Sequence, residues 1–104
     1  MNGITTHVLD TSVGRPATGV AVRLLRGALE VAAGTTDDDG RWNALAGDAT
    51  TPGDYRLAFA TGDYFSGAAF HPQVVVDFTV SDPAQHHHVP LLLSPFGYTT
   101  YRGS

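Results

Sequence analysis

Short alternating runs of apolar and β-branched residues, each cut off by glycine, proline or aspartate, make up most of this chain. Alternation places successive side chains on opposite faces, which marks strands with one buried side. Eight such runs can be drawn, at residues 4–10, 20–26, 29–35, 41–45, 55–60, 74–80, 86–93 and 98–102. The cluster Asp37-Asp38-Asp39-Gly40 reads as a hairpin turn, and residues 61–69 read as one short helix. Eight strands at this spacing predict an all-β fold, an antiparallel sandwich. Pro90 lies inside the run 86–93 and has no N–H to give a ladder, so a local break in pairing is expected there.

The 104 residues fit a single domain, residues 1–104. Without cysteine the chain has neither disulfides nor thiolate metal ligands, so its core must hold it, with help from subunit contacts. The net charge of −4 argues against a nucleic-acid partner. No basic segment followed by an apolar stretch opens the chain, and no run is long enough to span a membrane. The expectation is a cytoplasmic protein with no membrane partner.

Three histidines and one arginine carry the chemistry. In the first run Thr5, His7 and Leu9 share one face. In 86–93 the faces are His86, His88, Pro90 and Leu92 against His87, Val89, Leu91 and Leu93. Both faces become apolar beyond Val89, whereas a lone sandwich covers only one side of each sheet. A second subunit is therefore expected over His86 and His88, while His87 suits a solvated position. Arg41 is either a surface partner of the aspartate turn or a fixed cation for an anionic substrate. His7, His86 and His88 could hold zinc if they approached one another. The aspartate run lacks the spaced ligands and terminal glutamate of a calcium loop. No nucleophile elbow or phosphate loop is present, so imidazoles, a guanidinium and hydroxyls are the available tools, a set suited to activating water. The chain ends Tyr101-Arg102-Gly103-Ser104, polar chemistry set beside an apolar strand.

The segment His7-Val8-Leu9-Asp10-Thr11-Ser12-Val13-Gly14-Arg15-Pro16-Ala17 resembles the N-terminal signature of the transthyretin family. His88-Val89-Pro90-Leu91-Leu92-Leu93-Ser94-Pro95-Phe96-Gly97-Tyr98 resembles its C-terminal signature. Hormone carriers of that family have lysine, glutamate and threonine in place of His7, Arg41 and His88, and lack the terminal Tyr-Arg-Gly-Ser. All four features here match the branch that hydrolyses 5-hydroxyisourate in urate breakdown. Two positions depart from the family's habit, His87 where tyrosine is common and His71 where an aromatic is more usual.

The resemblance implies a prealbumin-like, transthyretin-type sandwich assembled as a homotetramer, a dimer of dimers with sites where dimers meet. It implies catalysis by His7, Arg41 and His88, with substrate bound by His86, Tyr101, Arg102, Gly103 and Ser104 and with no metal or other cofactor. The reaction would open a lactam-type ring by histidine-activated water with arginine support. Its product would be 2-oxo-4-hydroxy-4-carboxy-5-ureidoimidazoline. Either histidine could be the base. Alternatives are a non-catalytic small-molecule carrier of the same fold, a structural module and a zinc-dependent hydrolase.

Overall fold

The computed structural model describes residues 3–104; Met1 and Asn2, the start of the expected 1–104 domain, lie outside the described residues. Two sheets pack face to face, as the alternation requires. One holds β1 (Gly3–Asp10), β2 (Arg15–Pro16), β5 (Arg41–Ala46), β8 (His86–Leu93) and β9 (Tyr98–Thr100). The other runs β4 (Leu29–Thr35), β3 (Ala21–Arg26), β6 (Gly53–Phe59), β7 (Val74–Val80). Ile4, Val8, Leu91 and Leu93 from the first sheet meet Val22, Leu24, Leu57, Phe59 and Val74 from the second in one core. Burying each such side chain contributes about 1.5–3 kcal/mol, and with no cysteine this is what holds the layers together. No helix among the described residues is long and apolar enough to cross a membrane.

The structure corrects several sequence expectations. A ninth strand, Arg15–Pro16, pairs with Leu9 and Asp10 and is too short to read as an alternating run. The sandwich is not wholly antiparallel, because β1 and β8 run parallel. The helix is α1, only Thr61–Tyr64; Ser66 and Gly67 take positive φ and end it. The last strand stops at Thr100 rather than Arg102.

The aspartate turn is not a hairpin. Asp37 Oδ1 accepts from the backbone N–H groups of Asp39 and Arg41, which closes the reversal. The flanking strands β4 and β5 nevertheless belong to different sheets. Gly40 makes the crossing possible: its φ is 76°, and a Cβ there would lie 2.4 Å from the Val8 carbonyl oxygen. Its own carbonyl accepts from the Val8 N–H at 2.7 Å. The chain thus delivers Arg41 to the side of β1.

His87 is only 4% exposed and faces the core side, not solvent; its Nδ1 hydrogen-bonds the Gln85 carbonyl at 2.9 Å. The other unusual histidine, His71, sits edge-on between Phe70 and Tyr98 at ring separations of 4.9 and 5.1 Å.

Candidate functional site

The outer face of the β5–β1–β8 sheet gathers the polar chemistry by register. Arg41 of β5 stands opposite His7 of β1. One row along, Thr5 is flanked by Asn43 and His88; a further row on, Gly3 is flanked by Ala46 and His86. A β-bulge in β5 sets this arrangement. Leu45 pairs with Ile4 but Asn43 pairs with Thr5, so Ala44 is the extra residue. The shift lets Leu45 pack toward the core while Asn43 and Arg41, two and four positions back, face outward.

Thr5 ties the imidazoles together. Its hydroxyl lies 2.7 Å from His86 Nε2 and 2.8 Å from His88 Nδ1. A hydroxyl has one proton to give and lone pairs to accept with, so it serves both rings at once. His88 Nε2 is left as the ring nitrogen available for chemistry.

The tail closes the other side of His88. The Gly103 N–H donates to the His88 carbonyl at 2.8 Å, in a bridge three residues further along each strand than the Leu91–Thr100 pair. Between these points the ladder lapses opposite Pro90, where the sequence predicted a break. The result is an open cleft of about 350 Å³ lined by Thr5, Thr6, Arg41, Asn43, His86, His88 and Ser104.

The cleft therefore brings together four predicted site residues, Arg41, His86, His88 and Ser104, with His7 beside Arg41 and Gly103 against the His88 ring. Tyr101 and Arg102 line a second cleft with Val76, Phe78, His87 and His88, so the two clefts share His88, and Arg102 donates to Gln85 Oε1 at 3.1 Å. Thr5 and Asn43 were missed by the sequence reading, although Thr5 shares a face with His7 and that parity was the available signal. Among the described residues no three histidine or carboxylate side chains are grouped to hold a metal ion.

The electrostatics single out His88. Burial lowers its pKa from the ordinary 6.5, and the neighbouring His86, Arg41 and His7 push in the same direction. Together they outweigh the hydrogen bond at Thr5, which acts the other way, so protonation of the ring is disfavoured. Arg41 makes no ion pair among the described residues, and its guanidinium remains available to an anion at the mouth of the cleft.

Comparison with known proteins agrees with this geometry. A 5-hydroxyisourate hydrolase of Caulobacter vibrioides is 49% identical to the chain, with all of both sequences covered. The solved structure of Klebsiella pneumoniae 5-hydroxyisourate hydrolase superposes with a TM-score of 0.90 at 36% identity, again over the full length of both chains. Sea bream transthyretin in complex with thyroxine superposes almost as well, with a TM-score of 0.87 at 31% identity, over 96% of this chain and 93% of that one. The profile of the HIUase/Transthyretin family matches residues 4–103, and the chain belongs to that family.

Proposed function

We propose that this protein is a hydrolase that opens 5-hydroxyisourate to 2-oxo-4-hydroxy-4-carboxy-5-ureidoimidazoline in urate catabolism. The observation that carries the reading is the cleft itself: an imidazole whose protonation is disfavoured, His88, with the guanidinium of Arg41, unpaired among the described residues, on the same face. His88 Nε2 takes a proton from water, and the hydroxide adds to the ring carbonyl. Arg41 supports the oxyanion that develops there. The carbonyl carbon–nitrogen bond then breaks, leaving a carboxylate, and the proton returns to the departing nitrogen. His7, next to Arg41, helps hold the ring's polar edge. The working unit is a homotetramer in the cytoplasm, with sites where dimers meet.

Fold alone does not choose between this and a carrier, since a thyroxine-bound transthyretin superposes nearly as well as the enzyme. The charged, imidazole-rich cleft favours catalysis. The test is to generate 5-hydroxyisourate by oxidising urate and to follow its absorbance. Catalytic amounts of the protein should accelerate the decay, and an unchanged decay would leave the carrier reading in its place.

A further inference from the structure

The hydrogen bonds of Thr5 carry an inference that deepens the hydrolytic reading and rests on it. One hydroxyl bridging two imidazoles constrains both. If Thr5 donates to His86 Nε2, His88 Nδ1 must carry the proton that Thr5 accepts; if it donates to His88, the roles reverse. The two protonation patterns are locked together, and the hydroxyl can pass a proton from one ring to the other by exchanging its own.

The field along the sheet gives this exchange a direction. Arg41 and His7 occupy one row, His88 is associated with the next, and His86 with the row beyond. A proton on His88 is repelled by Arg41 and His7, and among the described residues no carboxylate side chain lines the cleft, where the α-carboxylate of Ser104 is the anion present. The charged and titratable groups facing the imidazole pair are Arg41 from β5, His7 from β1 and the α-carboxylate of Ser104 from the tail. Moving the charge to His86 takes it away from the guanidinium.

We propose that Thr5 is a proton relay, through which the proton that His88 takes from water is handed on to His86. In the resting state Thr5 donates to His86 Nε2 and accepts from His88 Nδ1–H, which leaves His88 Nε2 with a free lone pair. Once Nε2 has taken the proton, the Nδ1–H proton moves to Thr5 Oγ1 as the Thr5 hydroxyl proton moves to His86 Nε2. One N–H and one O–H bond break and one of each forms. No electrons are exchanged, and the positive charge leaves His88 for His86. The steps reverse when the departing ring nitrogen is protonated.

Thr5→Val removes the hydroxyl while keeping the branched shape, and Thr5→Ser keeps the hydroxyl. Thr5→Val should lower kcat on the order of 10², the lower end of what acid–base assistance supplies, with KM little changed. Thr5→Ser should recover most of the loss. Independently of turnover, ¹⁵N-NMR titration of the wild-type rings should show His88 Nδ1 and His86 Nε2 changing together, as a coupled pair. In Thr5→Val the two should titrate separately. Independent titration in the wild type, or a Thr5→Val enzyme with unchanged kcat and pH profile, would overturn the relay. A wild-type protein that shows coupled titration but leaves 5-hydroxyisourate untouched would support the Thr5 linkage and remove the proposed reaction. If Thr5→Val does not fold, the wild-type titration and the Thr5→Ser rate decide.

Discussion

The backbone of Gly103 lies close against the imidazole of His88. A Cβ built on Gly103 would come within 2.5 Å of His88 Cδ2 and 3.2 Å of Cγ, closer than real atoms approach. The tail is thus seated on the ring, and only glycine permits the seat. Gly103→Ala should push the tail off His88, break the Gly103–His88 backbone bond, and lower kcat roughly tenfold through a misplaced ring. Gly97→Ala is the control, because the nearest atom to its Cβ is 3.9 Å away. Equal activity in the two variants would show that the contact does not matter to turnover.

Arg41 is held from behind by its backbone N–H bond to Asp37 Oδ1 at 3.0 Å, while its side chain stays exposed at the cleft. Removing the guanidinium removes charge support without disturbing the turn. Arg41→Ala should therefore reduce kcat by about 10²–10³, the usual loss for an oxyanion donor. Thermal unfolding should barely move, since surface substitutions typically change stability within about 0.5 kcal/mol. Normal turnover in steady-state assays would take Arg41 out of the mechanism.

The depressed pKa of His88 sets the sign of two pH effects. Its folded value lies below the ordinary 6.5, so well above pH 6.5 the ring is neutral in both folded and unfolded chains. As pH falls below 6.5 the unfolded chain takes up a proton first, and stability declines until the folded pKa is passed. Activity should keep its plateau into that same window, with its acid limb below 6.5 rather than at it. Rate and melting profiles between about pH 4 and 8 check both, against a His88→Asn variant that should lose the acid-side stability slope and about 10² or more in kcat. An acid limb above pH 6.5 would contradict the assignment.

Zinc chemistry gives a separate expectation. Thr5 engages one nitrogen on each of His86 and His88, and the three histidines are not grouped as ligands among the described residues. Exhaustive chelation should leave the hydrolytic rate unchanged, and a chelator-sensitive rate restored by added zinc would reverse that view.

Much of the architecture was legible because period-2 alternation reports burial directly. The faces drawn for 4–10 and 86–93 are those observed, with Ile4, Val8, Leu91 and Leu93 in the core and His86 and His88 outside. What alternation cannot report is which strand neighbours which. The Asp37–Gly40 turn looked like a hairpin because local turn chemistry is the same whether the next strand returns beside its predecessor or crosses to the other sheet. The crossing depends on Gly40 meeting Val8, a contact distant in sequence. The parallel β1–β8 pair is equally non-local, and it is what sets Thr5 beside His88. Asn43 shares its face with Arg41 two positions back, and the bulge at Ala44 hides this only where facing is read from Leu45. Arg102 and Ser104 are grouped by proximity in the chain, and they line two clefts that share His88.

Assembly is the remaining expectation, and the outer face supplies the argument. Leu9 and Leu92 pair in register and are only half-buried by their own chain, and beyond them Phe96 is 81% exposed. Such an apolar surface beside a polar cleft suits contact with another copy, and closed two-fold assemblies are the common outcome. Light scattering after gel filtration should give four times the chain mass. Leu92→Glu would place a carboxylate in that contact, where desolvating a charge costs far more than the lost apolar burial of about 1.5–3 kcal/mol. Particle mass and turnover should then fall together, because the cleft is open on the side a second dimer would cover. A wild-type protein that runs as a single chain and turns over at full rate would remove the assembly from the mechanism, leaving the protomer's own cleft as the complete site.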